Sequence, residues 1–251
     1  DMTMEEIKNF RQWGAKTAGH PEYGHAKGIE TTTGPLGQGI SNAVGFAMAE
    51  QSLQSRYGKK IVDHFTYVIA GDGCLMEGVS QEAITLAGKQ ELNKLIVMWD
   101  DNNISIDGEV SISDITDQQK RFESAGWTVF SINGHDPDEI DKALTQAKKS
   151  SKPSLIACKT KIALGVVGVE NTAGGHGYNI KDQQLTQMRE FYDWPYAKYE
   201  IPSDVKEAWL EIGSKGSEAR EQWELRLSNL SKSKQAEFHR VMNLDTPTKL
   251  S

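Results

Sequence analysis

The chain alternates short apolar runs with longer stretches in which apolar residues recur every three or four positions. Four runs stand out, at 65–70, 95–99, 127–132 and 153–158, carrying Val, Ile, Leu and aromatic residues. Runs of this length and composition predict strands. Between them, 80–91, 116–126 and 137–150 carry helical patterns of about ten to fifteen residues. Upstream, Ile40, Val44, Ala47 and Met48 fall on one helical face, and 4–13 predicts a shorter helix. Asp117 is placed near the first turn of its helix. Pro137 suits a first helical turn, and Lys148 and Lys149 suit a C-terminal end. Strands alternating with helices predict parallel βαβ units with right-handed crossovers. The expected fold is therefore α/β, a mostly parallel sheet flanked by helices. Ligands of such sheets gather beyond the carboxyl ends of the strands.

Residues 161–180 read as a loop rich in Gly and Val, with His176 among the glycines. From 181 to 243 the pattern becomes polar and helical, with Trp194, Trp209 and Trp223 as expected anchors. The segment 245–251, with Pro247, reads as a linker or frayed end. The pattern divides the chain into an α/β part, 1–180, and a helical extension, 181–251.

Composition narrows the function by exclusion. The formal net charge of -7 over 251 residues, without a Lys/Arg stripe, argues against a nucleic-acid partner. Apolar runs stay far below the length of a membrane span. The acidic start, Asp1 to Glu6, lacks the features of a signal peptide. Cys74 and Cys158 lack metal-ligand spacing, which points to a reducing compartment. A cytoplasmic protein is expected.

The candidate chemistry sits where two strands stop. The run 65–70 ends at Gly71-Asp72-Gly73, and the run 95–99 ends at Asp100-Asp101-Asn102-Asn103-Ile104. Magnesium takes oxygen ligands in near-octahedral array and keeps phosphate oxygens and water among them. Asp72 offers a carboxylate and Asn102 an amide oxygen. A backbone carbonyl just beyond, such as that of Ile104, is a natural third ligand. Gly71 and Gly73 permit positive φ and close approach to phosphate. Farther upstream, Gly34-Pro35-Leu36-Gly37-Gln38-Gly39 opens a helix and presents free N–H groups.

These elements resemble the thiamine diphosphate fingerprint. Together with Thr17-Ala18-Gly19-His20-Pro21-Glu22, the run TTTGPLGQG at 31–39, GDGCLMEG at 71–78 and DDNNISIDG at 100–108, they look like transketolase. The resemblance runs to about residue 245 and implies a thiamine diphosphate-binding fold of the diphosphate-binding type. It implies Asp72, Asn102 and the Ile104 carbonyl as ligands of Mg2+, with Ca2+ a possible substitute. It implies Gly73 and His176 at the diphosphate, and Gly34, Pro35 and Leu36 at the ring end of the cofactor. His20 matches a histidine on the donor sugar's terminal hydroxyl, His176 also lies near the reacting carbons, and Glu77 matches an acid at the interface with a partner subunit.

The implied activity is a transferase of the pentose phosphate pathway, moving a two-carbon ketol unit from a ketose phosphate to an aldose phosphate in a homodimer. Histidines of the family upstream of the His20 loop, and its pyrimidine-binding domain, have no counterpart here. The expectation is an incomplete diphosphate-binding domain, inactive alone. It would serve as part of a transketolase, as a non-catalytic cofactor-binding fragment, or as one subunit of a split enzyme. Ala18 stands where the family usually has Pro, Ala163 where Gly is usual, and the segment after His176 also departs.

Overall fold

A computed structural model describes residues 2–177 and 180–247. Tyr178 and Asn179 of the predicted loop, and 248–251 of the predicted linker, lie outside the described residues. The chain forms two compact units, 1–48 with 65–195, and 49–64 with 196–251.

The first unit opens with α1 (Met4–Lys8) and α2 (Gln38–Tyr57), whose last turns belong to the second unit. There follow β1 (Thr66–Gly71), α3 (Asp72–Met76), α4 (Gly78–Lys89) and β2 (Leu95–Asp101). Next come α5 (Gln118–Ser124), β3 (Thr128–Asn133), α6 (Pro137–Ala147), β4 (Ser154–Lys159) and α7 (Asp182–Phe191). The four strands are parallel, in the order β1-β2-β4-β3. The expected α/β sheet is the one observed.

Side-chain alternation divides two cores across the sheet. Leu95, Val97 and Trp99 of β2, with Leu155 and Ala157 of β4, pack with Ile40 and Val44 of α2, Ile84 and Ala87 of α4 and Phe122 of α5. The alternate residues Ile96, Met98, Ile156 and Cys158 pack with Ala143 and Ala147 of α6. Strands β2 and β4 are central and covered on both faces, so their sequences read as unbroken apolar runs. Each fully buried Leu or Ile contributes about 1.5–3 kcal/mol of hydrophobic stabilisation. Burial also pushes the Cys158 thiol up to about 11, so it stays protonated and unreactive near neutrality.

Local chemistry sets the helix ends. The Asp136 carboxylate accepts from the Asp138 and Glu139 N–H groups ahead of Pro137, and Asp117 caps α5 through the Lys120 N–H. Three elements differ from expectation. Helix α1 stops at Lys8 because Asn9 caps it, short of Trp13. Residues 72–76 are helical, a turn too short to show a period. Helix α6 ends at Ala147, where Lys148 caps it.

In the second unit, Tyr57, Ile61 and Val62 pack with Leu227 of α8 (Ser203–Ser228) and Phe238 of α9 (Lys232–Met242). Trp223 is an anchor, its indole N–H donating to the Ile61 carbonyl at 2.8 Å. Trp209 is not: it is 72% exposed. Helix α8 buries little of its length, so a tryptophan along it is no guide to packing.

Helix α4 meets the turn before β3 at Gly88. A Cβ there would overlap the Ala125 carbonyl oxygen, and Trp127 seals the contact by donating its indole N–H to the Ile84 carbonyl at 2.9 Å. Backbone cannot give way as a flexible side chain does. Gly88→Ala is therefore expected to destabilise the chain by about 3 kcal/mol, read as a fall in thermal midpoint of roughly 6 °C or more. An unchanged midpoint would contradict this packing.

Candidate functional site

In-register pairing of β1 and β2 sets Gly71 beside Asp100, so both strands release their chains at the same rim of the sheet. A cavity of about 620 Å³ opens there. Asp72, Gly73, Asn102, Ile104, Leu36, Glu77 and His176, all singled out from the sequence, line it.

Asp72 is buried at the start of α3. Its Oδ1 accepts the Trp99 indole N–H at 3.1 Å, and its Oδ2 is buried with no hydrogen-bond partner. Burial pushes the carboxyl up to about 6, opposed by the Trp99 bond and the Asn103 backbone N–H and assisted by the charges of Asp101 and Asp100. Asn102 leaves β2 with Oδ1 accepting the Ile104 N–H at 2.9 Å and Nδ2 donating to Asp100 Oδ2 at 3.2 Å. Asn103 follows at φ 62. A bridge then pairs Ile104 with Glu109. The two bonds flanking that pair use the Asn103 and Gly108 carbonyls, which leaves the Ile104 carbonyl outside the ladder.

Of the two properties expected of these glycines, positive φ and close approach, the first is absent. Gly71 is extended, with φ -91, and Gly73 lies inside α3; neither adopts a left-handed conformation. What Gly73 provides is space. A Cβ there would stand 3.1 Å from Leu36 Cδ1. The 34–37 turn owes its shape to its own glycines. Gly34 (φ +135) lies under the His20 ring, its absent Cβ 2.9 Å from Cγ, and Gly37 (φ +83) lies on Glu77 and Val79 of the next loop and helix.

The remaining predicted residues are spread around this centre. Glu77 is an exposed residue between α3 and α4. His176 follows a short helical turn, Ala173–Gly175, and is exposed. Gly34 and Pro35 line a neighbouring groove of about 530 Å³ against β1, which Leu36 shares. His20 packs on Gly34 and is outside the residues lining the cavity and the groove. Ala163, in the loop before His176, holds φ 53, a conformation glycine adopts without strain. Sequence reasoning missed Trp99, which read only as the end of an apolar run, and Asp100, one of whose two partners, Thr160, is 60 residues away.

The donor set fits a hard cation bound together with an anion. Asp72 Oδ2 is a buried acceptor without a donor, and Asn102 and Ile104 line the same cavity. Among the described residues no group of three or more His, Cys, Asp or Glu side chains could hold a metal. A cation here would take the rest of its shell from bound phosphate and water.

A parallel α/β sheet with an acid and an amide at adjacent strand ends places this chain among α/β proteins that take a ligand at the carboxyl rim of the sheet. The family model for the transketolase thiamine diphosphate binding domain matches residues 1–247. The chain belongs to that family. It is 55% identical over 249 residues to transketolase from Rhodobacter capsulatus, covering 99% of this chain and 37% of that protein. Transketolase from Leishmania mexicana matches with a TM-score of 0.94 at 38% identity, over 99% of this chain and 38% of that one. A Pichia stipitis transketolase in complex with sedoheptulose-7-phosphate matches with a TM-score of 0.93 at 37% identity, over 99% and 38%. The chain thus spans 37–38% of the length of these relatives.

Asp72 is costly without a cation. Its carboxyl is raised in the fold, so the cost is absent below about pH 4, grows as pH rises and is complete above about pH 6. Asp72→Asn is expected to stabilise the cation-free chain at pH 7 by about 1–2 kcal/mol, a rise in thermal midpoint of about 3 °C. The gain should vanish at pH 4. A variant less stable than the parent at pH 7 would refute the unpaired carboxylate.

Proposed function

We propose that this chain forms the metal- and diphosphate-binding part of a transketolase, with Asp72, Asn102 and the Ile104 carbonyl holding Mg2+ against the diphosphate of thiamine diphosphate; Ca2+ is a possible substitute. The observation that carries the reading is the unpartnered Asp72 Oδ2 beside the Asn102 amide in one cavity. Gly73 leaves room for a phosphate to approach, and His176 would donate to its oxygens. Gly34, Pro35 and Leu36 form the wall against the cofactor rings. His20 would bind the donor sugar's hydroxyl, and Glu77 would meet a partner subunit. The α/β part, 1–180, would carry this site, and 181–251 would lead to a pyrimidine-binding domain.

In the whole enzyme the reaction would transfer a two-carbon ketol unit between sugar phosphates, as in the pentose phosphate pathway, within a cytoplasmic homodimer. When bound, the cofactor supplies stabilisation of the carbanion at its reacting carbon. This chain's residues would hold the diphosphate, exclude water beside it and orient the sugar. Coverage of 37% of the Rhodobacter protein favours a companion reading, in which this polypeptide is a cofactor-binding piece or one subunit of a split enzyme.

Calorimetry tests the site. Thiamine diphosphate should bind with Mg2+ and weaken strongly when Mg2+ is chelated. Asp72→Ala should abolish the Mg2+-dependent part, a loss of about 2 kcal/mol or more; unchanged affinity would refute the ligand set.

Assays of two-carbon transfer test the role of the chain. The 251-residue chain alone is expected to show no turnover; on mixing with a transketolase pyrimidine-binding chain, turnover marks one subunit of a split enzyme and its absence a non-catalytic cofactor-binding piece. Turnover by the chain alone would overturn the need for a partner.

A further inference from the structure

Consecutive residues of β2 hold both side-chain ligand donors. Trp99 faces the α2–α4 side and grips Asp72, while Asp100 grips Asn102. The Asn102 grip decides more, because an amide has two chemically different ends. With its oxygen toward a cation it is a ligand; with its NH2 group there it repels one. The Ile104 N–H pairs only with the oxygen end, and an ionised carboxylate pairs only with the NH2 end. Asp100 and the Ile104 N–H therefore select the same orientation, and Oδ1 keeps a further lone pair. The other Asp100 oxygen accepts from the Thr160 hydroxyl, on the residue that follows β4. Thr160 is also fixed by its N–H, which donates to the Asp101 carbonyl at 3.3 Å. Asp100 also lines the cavity, and with one oxygen held by Thr160 and the other by the Asn102 NH2 group it is placed to orient the amide.

We propose that Asp100 is a positioning residue: held by Thr160, its carboxylate fixes the Asn102 amide with the oxygen presented to the cavity, so that an arriving cation meets a preset donor. The proposal deepens the metal-site reading and rests on Asn102 being a ligand. Ligand partners of this kind change metal affinity about 10- to 100-fold when removed.

The test uses the full 251-residue chain, titrated with Mg2+ in the presence of thiamine diphosphate. Asp100→Ala should weaken Mg2+ binding about tenfold, whereas Asp100→Asn, which keeps an acceptor for the Asn102 NH2 and sheds the charge, should restore most of it. In an Asn102→Ala background, Asp100→Ala should add no further loss. Equal losses in Asp100→Ala and Asp100→Asn would show action through charge and overturn the proposal, as would additive losses in the double variant. Unchanged Mg2+ binding in Asn102→Ala would instead overturn the ligand reading, and the proposal with it.

A measurement without metal separates the two failures. The Asn102 side-chain NH2 resonances, assigned by their loss in Asn102→Ala, should be protected from solvent exchange in the parent chain and in Asp100→Asn. They should become exchange-labile in Asp100→Ala. Protection that survives in Asp100→Ala would overturn the positioning role whatever the metal result.

Discussion

The structure depends on the parallel pairing of β1 with β2. These strands are neighbours in the sheet and in the sequence, joined by α3 and α4, and their register sets Gly71 against Asp100. Everything at the site follows from that alignment. It delivers Asp72 and Asn102 to one rim. It also brings the Trp99 indole within reach of Asp72, although 27 residues separate them. Neither donor could be placed by its own loop. Each is short, polar and backed by a strand residue: Asp72 by Trp99 in the apolar layer, Asn102 by Asp100, which Thr160 holds.

The arrangement sets stability against binding. A buried carboxylate with one oxygen unpaired is unfavourable in the fold, and the surrounding apolar packing offsets it: Leu75 within α3 is fully buried, and Trp99 covers the other side. Residues kept in such positions are where a fold is expected to depart from its own best packing in favour of chemistry. Ala163 at φ 53 is a second departure, in backbone rather than charge. It lies in the loop that brings His176 to the cavity rim.

Much of this was legible in the sequence, for reasons that differ by element. All four strands were legible as short apolar runs, and β2 and β4, buried on both faces, as the most continuous of them. Asp72 and Asn102 were legible because small or polar residues interrupt those runs abruptly. The strand order was not, since no local pattern says that β4 inserts between β2 and β3. Helix α3 was hidden by its length. Trp209 was misread because aromatic character alone does not reveal which face of α8 is covered. The glycines flanking Asp72 were read as permitting both positive φ and close approach; their angles are ordinary, and the room at Gly73 is set by Leu36. Asp100 was hidden because both its partners matter only in three dimensions. Thr160, the more distant, is 60 residues away.

The alternation along β2 has a consequence for how this chain can change length. Trp99 and Asp100 are neighbours facing opposite ways, one among apolar side chains and the other against a hydroxyl and an amide. Losing a single codon upstream within the strand would exchange their environments, driving a carboxylate into the apolar layer and an indole away from its acid. Point substitutions there can be graded in size and polarity, but a one-residue deletion cannot. Lineages carrying this site are therefore expected to vary in length within their loops, and to keep the residue count of β2 constant.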